Sequence, residues 1–220
     1  MIASAASRWR ATALFLFVWA ALLGATAYYL YESAAYVIFA EPQPGTTLLN
    51  RRMWYFAHIV TVLPILVIAP LQFVAKLRQA RPFIHRLLGR LFLGASILGG
   101  MSAVYLGVTI RYEGSRLPLA LFGLVWIAFS VIAWICARRG DYANHRQFVI
   151  RSLAIAFAFV WIRLLYTFHD QLFWFVSPGE VRDTTREWLS FVAPLLIAEA
   201  WLTWWPALQR SLRLPRRSRG

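Results

Sequence analysis

The chain has a single cysteine, Cys136, which excludes a disulfide within it and any Cys-x-x-Cys metal site. Acidic residues are also scarce, nine against 23 Lys and Arg, and the charged share is only 15%. A soluble domain carries about a quarter charged residues. No G-x-S-x-G elbow, H-E-x-x-H pair or glycine-rich phosphate loop occurs. Without these, no hydrolase or nucleotide-binding reaction has its usual machinery, and the sequence assigns the chain no enzymatic activity.

What is present is hydrophobic. Of the 220 residues 60% are apolar, with 11 Trp and 16 Phe. Six runs are long enough to cross about 30 Å of hydrocarbon as helices. They lie near 11–31, 53–75, 87–110, 117–137, 147–168 and 188–208. Backbone polar groups cannot stay unpaired in lipid, and runs this continuous suit helices rather than barrel strands. The expected fold is therefore all-α: one transmembrane domain, 1–208, followed by a basic tail, 209–220. The first run also has the outline of a cleavable signal, with Arg8 and Arg10 before it and Ala25-Thr-Ala27 near its end. Apolar and aromatic residues continue through Tyr28, Tyr29 and Leu30, so an uncleaved span is the favoured reading.

The basic residues set the expected orientation. The N-terminus, the segment 76–90, the segment 138–151 and the tail together hold 16 of the 23 Lys and Arg. The alternate loops hold six: Arg51, Arg52, Arg111, Arg116, Arg182 and Arg186. By the positive-inside rule both termini are expected in the cytoplasm. A net charge of +14 would suit nucleic acid if it covered a soluble face, but clustering at the ends of apolar runs explains it through topology, and no nucleic-acid partner is expected. The loop 32–52, with Pro42, Pro44 and Gly45, and the segment 170–187 are read as connections between spans. The tail, with five arginines, is expected to rest on anionic lipid headgroups.

Two basic elbows stand between these runs. The first is Arg81-Pro-Phe-Ile-His-Arg-Leu-Leu-Gly-Arg90 and the second Asn144-His-Arg-Gln-Phe-Val-Ile-Arg151. The His-Arg echo reads either as hairpin duplication or as chance. His85 and His145 are candidate ligands or hydrogen-bond donors at the mouths of two spans, with Arg86, Arg90, Arg146 and Arg151 placed to neutralise an anion. Deeper, the second run aligns His58, Val62, Ile65, Ala69 and Gln72 at helical spacing, with Pro64 and Pro70 expected to kink it. The third carries small residues at Gly89, Ser96, Gly100, Ala103 and Gly107, which suit close packing first and a flat cofactor second. On the fifth, His145, Ser152, Ala156 and Arg163 share a face, because eighteen residues make about five turns. Arg163 is thus expected deep, with His58 or Glu199 as its partner, and His169 about 120° off that face at the boundary.

Three chemistries fit this inventory. Haem b would take imidazoles as axial ligands, with arginines on its propionates and haem iron as the only metal. The layout of histidines near both surfaces resembles the cytochrome b561 group, which implies membrane electron transfer. Anionic headgroups would need only the arginines. Solute or proton transport would use His58, Arg163 and Glu199. Taken together, His58…Gln72, His85-Arg86-Leu-Leu-Gly-Arg90, His145-Arg146…Arg151-Ser152 and Arg163 resemble the bacterial membrane proteins grouped as domain of unknown function 2306, over roughly 53–163. The resemblance implies a multi-pass protein of the bacterial inner membrane and brings no reaction with it. The family's second elbow carries an aromatic–methionine pair where this chain has Phe148-Val149, so no role resting on that methionine carries over.

Overall fold

A computed structural model describes residues 5–39, 48–110 and 112–213. The described residues are 91% helical, with no strand among them, and six helical segments are long and apolar enough to span a membrane. These spans are Thr12–Glu32, Met53–Phe73, Pro82–Val108, Glu113–Arg138, Tyr142–Thr167 and Glu180–Leu212. The expected loop around Pro42 and residues 214–220 of the expected tail lie outside the described residues. The chain divides into two compact units, Met1–Ser102 and Ala103–Gly220.

The first unit holds α1 (Ala5–Phe39), α2 (Leu48–Phe73), α3 (Ala75–Ala80) and most of α4 (Pro82–Val108). Helix α1 packs against α2. Helix α2 runs through Pro64 and Pro70 as one element and breaks at Val74, whose extended backbone separates it from α3. Its buried residues, Val62, Ile65, Leu66, Ile68 and Ala69, form a stripe of three- and four-residue steps, and His58 and Gln72 are half-buried at the ends of that stripe. On α4 the small residues do what close packing requires. Ser96 and Gly100 are buried, and a Cβ on Gly89 would already touch the Gln72 side chain at 3.4 Å.

The second unit begins within α4 and continues through α5 (Glu113–Arg138), α6 (Tyr142–Ala156), α7 (Ala158–Thr167), α8 (His169–Leu172), α9 (Glu180–Glu199) and α10 (Trp205–Arg213). Helix α9 packs on α5, α6 and α7, and α5 also packs on α6. The last residues of α4 approach α5 backbone to backbone, for a Cβ on Gly107 would stand 2.7 Å from the Ala120 nitrogen. Helix α5 buries Ser115, Pro118, Phe122, Trp126, Ser130 and Ala133, one unbroken stripe of three- and four-residue steps. Lipid is as apolar as leucine, so such a stripe is held by van der Waals fit and interhelical hydrogen bonds rather than by the hydrophobic effect.

Three features depart from the sequence reading. The elbow histidines lie inside helices, because α4 starts at Pro82 and α6 at Tyr142, several residues before the apolar runs. Proline is suited to a first helical position, and Asp141 caps α6 by accepting from the Asn144 N–H at 3.1 Å. The fifth span is two helices joined at Phe157, where Val160 N–H bonds back three residues to the Phe157 carbonyl. The sixth span starts eight residues before the apolar run, at Glu180, so the expected loop ends in two charged helical turns. Further on, a π-helical turn, Ala200–Trp204, links α9 to α10. Pro206 follows it, lacking an N–H for the Leu202 carbonyl, and the widened turn gives its ring room.

Candidate functional site

Capping fixes where the second elbow points. Asp141 accepts from both the Asn144 backbone, at 3.1 Å, and the Asn144 side chain, at 2.6 Å. The side-chain bond, then the backbone bond, hold its carboxyl below the usual range by stabilising the charged form. One turn on, the His145 Nδ1–H donates to the Ala133 carbonyl of α5 at 2.9 Å. A carbonyl can only accept, so Nδ1 carries a proton, and the neutral ring in this tautomer has its lone pair at Nε2. Arg146, about 100° round the helix, is exposed and lies 6.0 Å from the centroid of the Trp201 ring.

The first elbow divides in the same way. His85 is half-buried in α4, while Arg86 and Arg90 are exposed and form no ion pair with a described carboxylate. In both elbows adjacent residues of one helix face different surroundings, as i and i+1 positions must. His58 repeats the tautomer seen at His145: its Nδ1 lies 3.0 Å from the Gly99 carbonyl and 2.9 Å from the Ser102 hydroxyl, both on α4. Gln72 is half-buried, and its Nε2 has no hydrogen-bond partner among the described residues.

Arg151 is the partner of Glu199. Its Nε donates to Oε1 at 2.5 Å and its Nη2 to Oε2 at 3.1 Å, a two-pronged bond between α6 and α9. Thr203 adds a bond to Oε2 at 3.2 Å, and Gln147 accepts from Arg151 at 3.4 Å. The expected Arg163–Glu199 pair is thereby replaced. Arg163 is exposed, 5.9 Å from the Phe159 ring centroid, rather than deep in the bundle. The five-turn count assumed one continuous α-helix, and the tightened turn at Phe157 shifts the phase of everything after it. His145, Ser152 and Ala156, all before that turn, do share the inward face. Below them, Trp126 Nε1–H donates to Ser152 at 3.0 Å, and the Ser130 and Ser152 hydroxyls stand 2.9 Å apart. His169 is an edge residue as expected, with Nδ1 bonded to the Tyr166 carbonyl at 2.6 Å and its ring stacked on Tyr166.

Sequence reasoning missed a second polar cluster, where α5 and α9 begin. Arg182 pairs with Asp170 at 2.9 Å and donates twice to the Val176 carbonyl, at 3.1 and 2.8 Å. Arg186 pairs with Asp183 at 2.9 Å and lies over the Tyr166 ring at 4.9 Å. Both arginines are buried, as is Glu187 beside them. A signal was available: Asp183 follows Glu180 by three residues, and Arg186 and Glu187 follow Asp183 by three and four, directly before an apolar run. Among the described residues no group of three or more His, Cys, Asp or Glu side chains converges on a metal position.

Six apolar spans with polar side chains bonded between helices define a multi-pass helical membrane protein. The family model described as Predicted membrane protein (DUF2306) matches residues 55–202, and the chain belongs to that family. Neither the curated proteins nor the solved structures contain a match.

Proposed function

We propose that this chain sits in the bacterial inner membrane with both termini in the cytoplasm and binds the phosphate groups of anionic lipids at that face. Arg86, Arg90, Arg138, Arg139 and Arg146 would make the contacts. The observation that carries the reading is the division within each His-Arg pair: the histidine turns into its unit while the arginine is exposed and has no described carboxylate partner. The exposed Trp201, Trp204 and Trp205 near the end of the last span support it, since indole rings favour the headgroup level. Each basic side chain near an anionic surface is worth about 1 kcal/mol, so several together hold a lipid that one would not. The orientation follows from alternating the spans against the charge bias. Native mass spectrometry of the purified protein tests the reading. Retained phosphatidylglycerol or cardiolipin should fall several-fold when the five arginines become glutamine, and equal retention would contradict it. A fluorescent protein fused to the C-terminus should fluoresce in cells, whereas alkaline phosphatase fused there should stay inactive.

A second reading, b-type haem, draws on the histidines. His58 and His145 each direct an Nδ1–H at a helix carbonyl, the arrangement that orients an imidazole for metal ligation through Nε2. Arg151, a candidate propionate partner, is already neutralised by Glu199, and this favours the lipid reading. Bound haem would supply one-electron redox chemistry, and a Soret band in the visible spectrum, lost in His145→Ala, would establish it. Transport through the second unit is the weakest of the three. Its expected Arg163–Glu199 couple is not formed, and Phe122 stacks on Phe191 at 4.6 Å between the two polar clusters.

A further inference from the structure

The cluster at the start of α9 contains one charge that its ion pairs leave over. Arg182 is matched by Asp170, Arg186 by Asp183, and the exposed Arg116 by Glu113. Glu180 is exposed and accepts from the Gly114 N–H at the beginning of α5, at 2.7 Å. Glu187 forms no ion pair among the described residues and is only 8% exposed, and its Oε2 is buried without a hydrogen-bond partner. Ser115 of α5, 0% exposed, faces it, and the serine hydroxyl is likewise buried without a bonded partner. Among the described residues the other charged groups bearing on Glu187 are Arg186 and Asp183 of its own helix; Arg186 lies over the Tyr166 ring of α7, and its Nε is buried without a hydrogen-bond partner. Leaving a carboxylate buried without an ion-pair partner costs several kcal/mol, about what drives such a group to neutralise instead.

We propose that Glu187, facing Ser115, is a proton-binding site: the carboxyl takes a proton from water and returns it, its O–H bond forming and breaking with no change of oxidation state. The ionised carboxylate can only accept, from the Ser115 hydroxyl, whereas the protonated acid carries a donor of its own and no charge to compensate. Glu180, Thr184 and Glu187 lie on one stripe, about 10 Å from the exposed end to the buried one. The missing side chain of Gly114 makes room for this stripe, since a Cβ there would stand 2.5 Å from Thr184 Oγ1. On the other side the site is closed. Phe191 is one turn beyond Glu187 and Phe122 two turns beyond Ser115, and their rings stack at 4.6 Å with Trp188 edge-on to Phe122 at 5.7 Å.

Infrared spectroscopy of the full chain in lipid, taken across a pH series, tests this. A protonated-carboxyl stretch is expected at neutral pH and should decline as the pH is raised. It should shift when the wild-type protein is labelled with 13C-glutamate, vanish in Glu187→Gln, persist in Glu113→Gln, and move to higher frequency in Ser115→Ala as its hydrogen bond is lost. If the labelled wild type shows no glutamic-acid band at neutral pH, or one that bulk pH never alters while the protein is folded, the proposal is overturned. The labelling arm does so even where a variant fails to fold.

Discussion

Arg151 and Glu199 show how much a single pairing settles at the residue scale. Their side chains are 12% and 29% exposed, so each charge depends on the other for compensation. Removing one partner of a buried pair costs about 3–5 kcal/mol, and the partial exposure of Glu199 brings the expectation here down to about 2–3 kcal/mol. Arg151→Gln and Glu199→Gln should each lower stability by that amount in a denaturation assay in detergent. Replacing both with leucine should recover most of the loss, since the stranded charge is what is expensive. The sequence pointed to Glu199 as a buried acid and to a deep arginine on the fifth span. It could not choose Arg151 over Arg163, because neither glycine nor proline marks the tightened turn at Phe157 that rotates Arg163 outward. His145 was legible as an inward residue. Its carbonyl partner, Ala133, was not, because main-chain acceptors leave no trace in side-chain identity.

Among the elements, spans were easier to read than their ends. Hydropathy sums over about 20 residues and finds the lipid-crossing part of a helix, but a helix continues wherever its backbone bonds and caps are satisfied. That is why α4, α6 and α9 start before their apolar runs, at Pro82, after the Asp141 cap, and at Glu180. The cap carries a pH prediction. The Asp141 carboxyl is held below its ordinary range, so its contribution is present above the unfolded value and is lost as pH falls through the folded one. The hydrogen-exchange protection factors of the first turn of α6, with the intrinsic pH dependence divided out, should fall on acidification, and Asp141→Ala should remove that fall. Glycines offer a second contrast. Gly107→Ala would push a methyl to 2.7 Å from the α5 backbone, which cannot yield as a side chain can, and should destabilise by about 1–3 kcal/mol. Gly94 has nothing within 4 Å, so Gly94→Ala should be neutral or stabilise by up to about 1 kcal/mol through helix propensity. Melting curves of the two variants, measured side by side, check both.

For the molecule as a whole, the distribution of charge connects sequence to function. Arg86, Arg90, Arg138, Arg139 and Arg146 are exposed, while the more enclosed Arg151, Arg182 and Arg186 each meet a carboxylate. The chain belongs to a family of predicted membrane proteins and has six candidate spans, and the proposed lipid contacts would give the exposed arginines a partner. The most direct measurement is the melting temperature of the protein in nanodiscs of phosphatidylcholine alone and of phosphatidylcholine with phosphatidylglycerol. The wild type should melt several degrees higher in the anionic discs, and most of that gain should disappear at high salt and in the variant with Arg86, Arg90, Arg138, Arg139 and Arg146 changed to glutamine. Equal melting temperatures in the two lipids, or a gain that survives loss of the five arginines, would contradict the account.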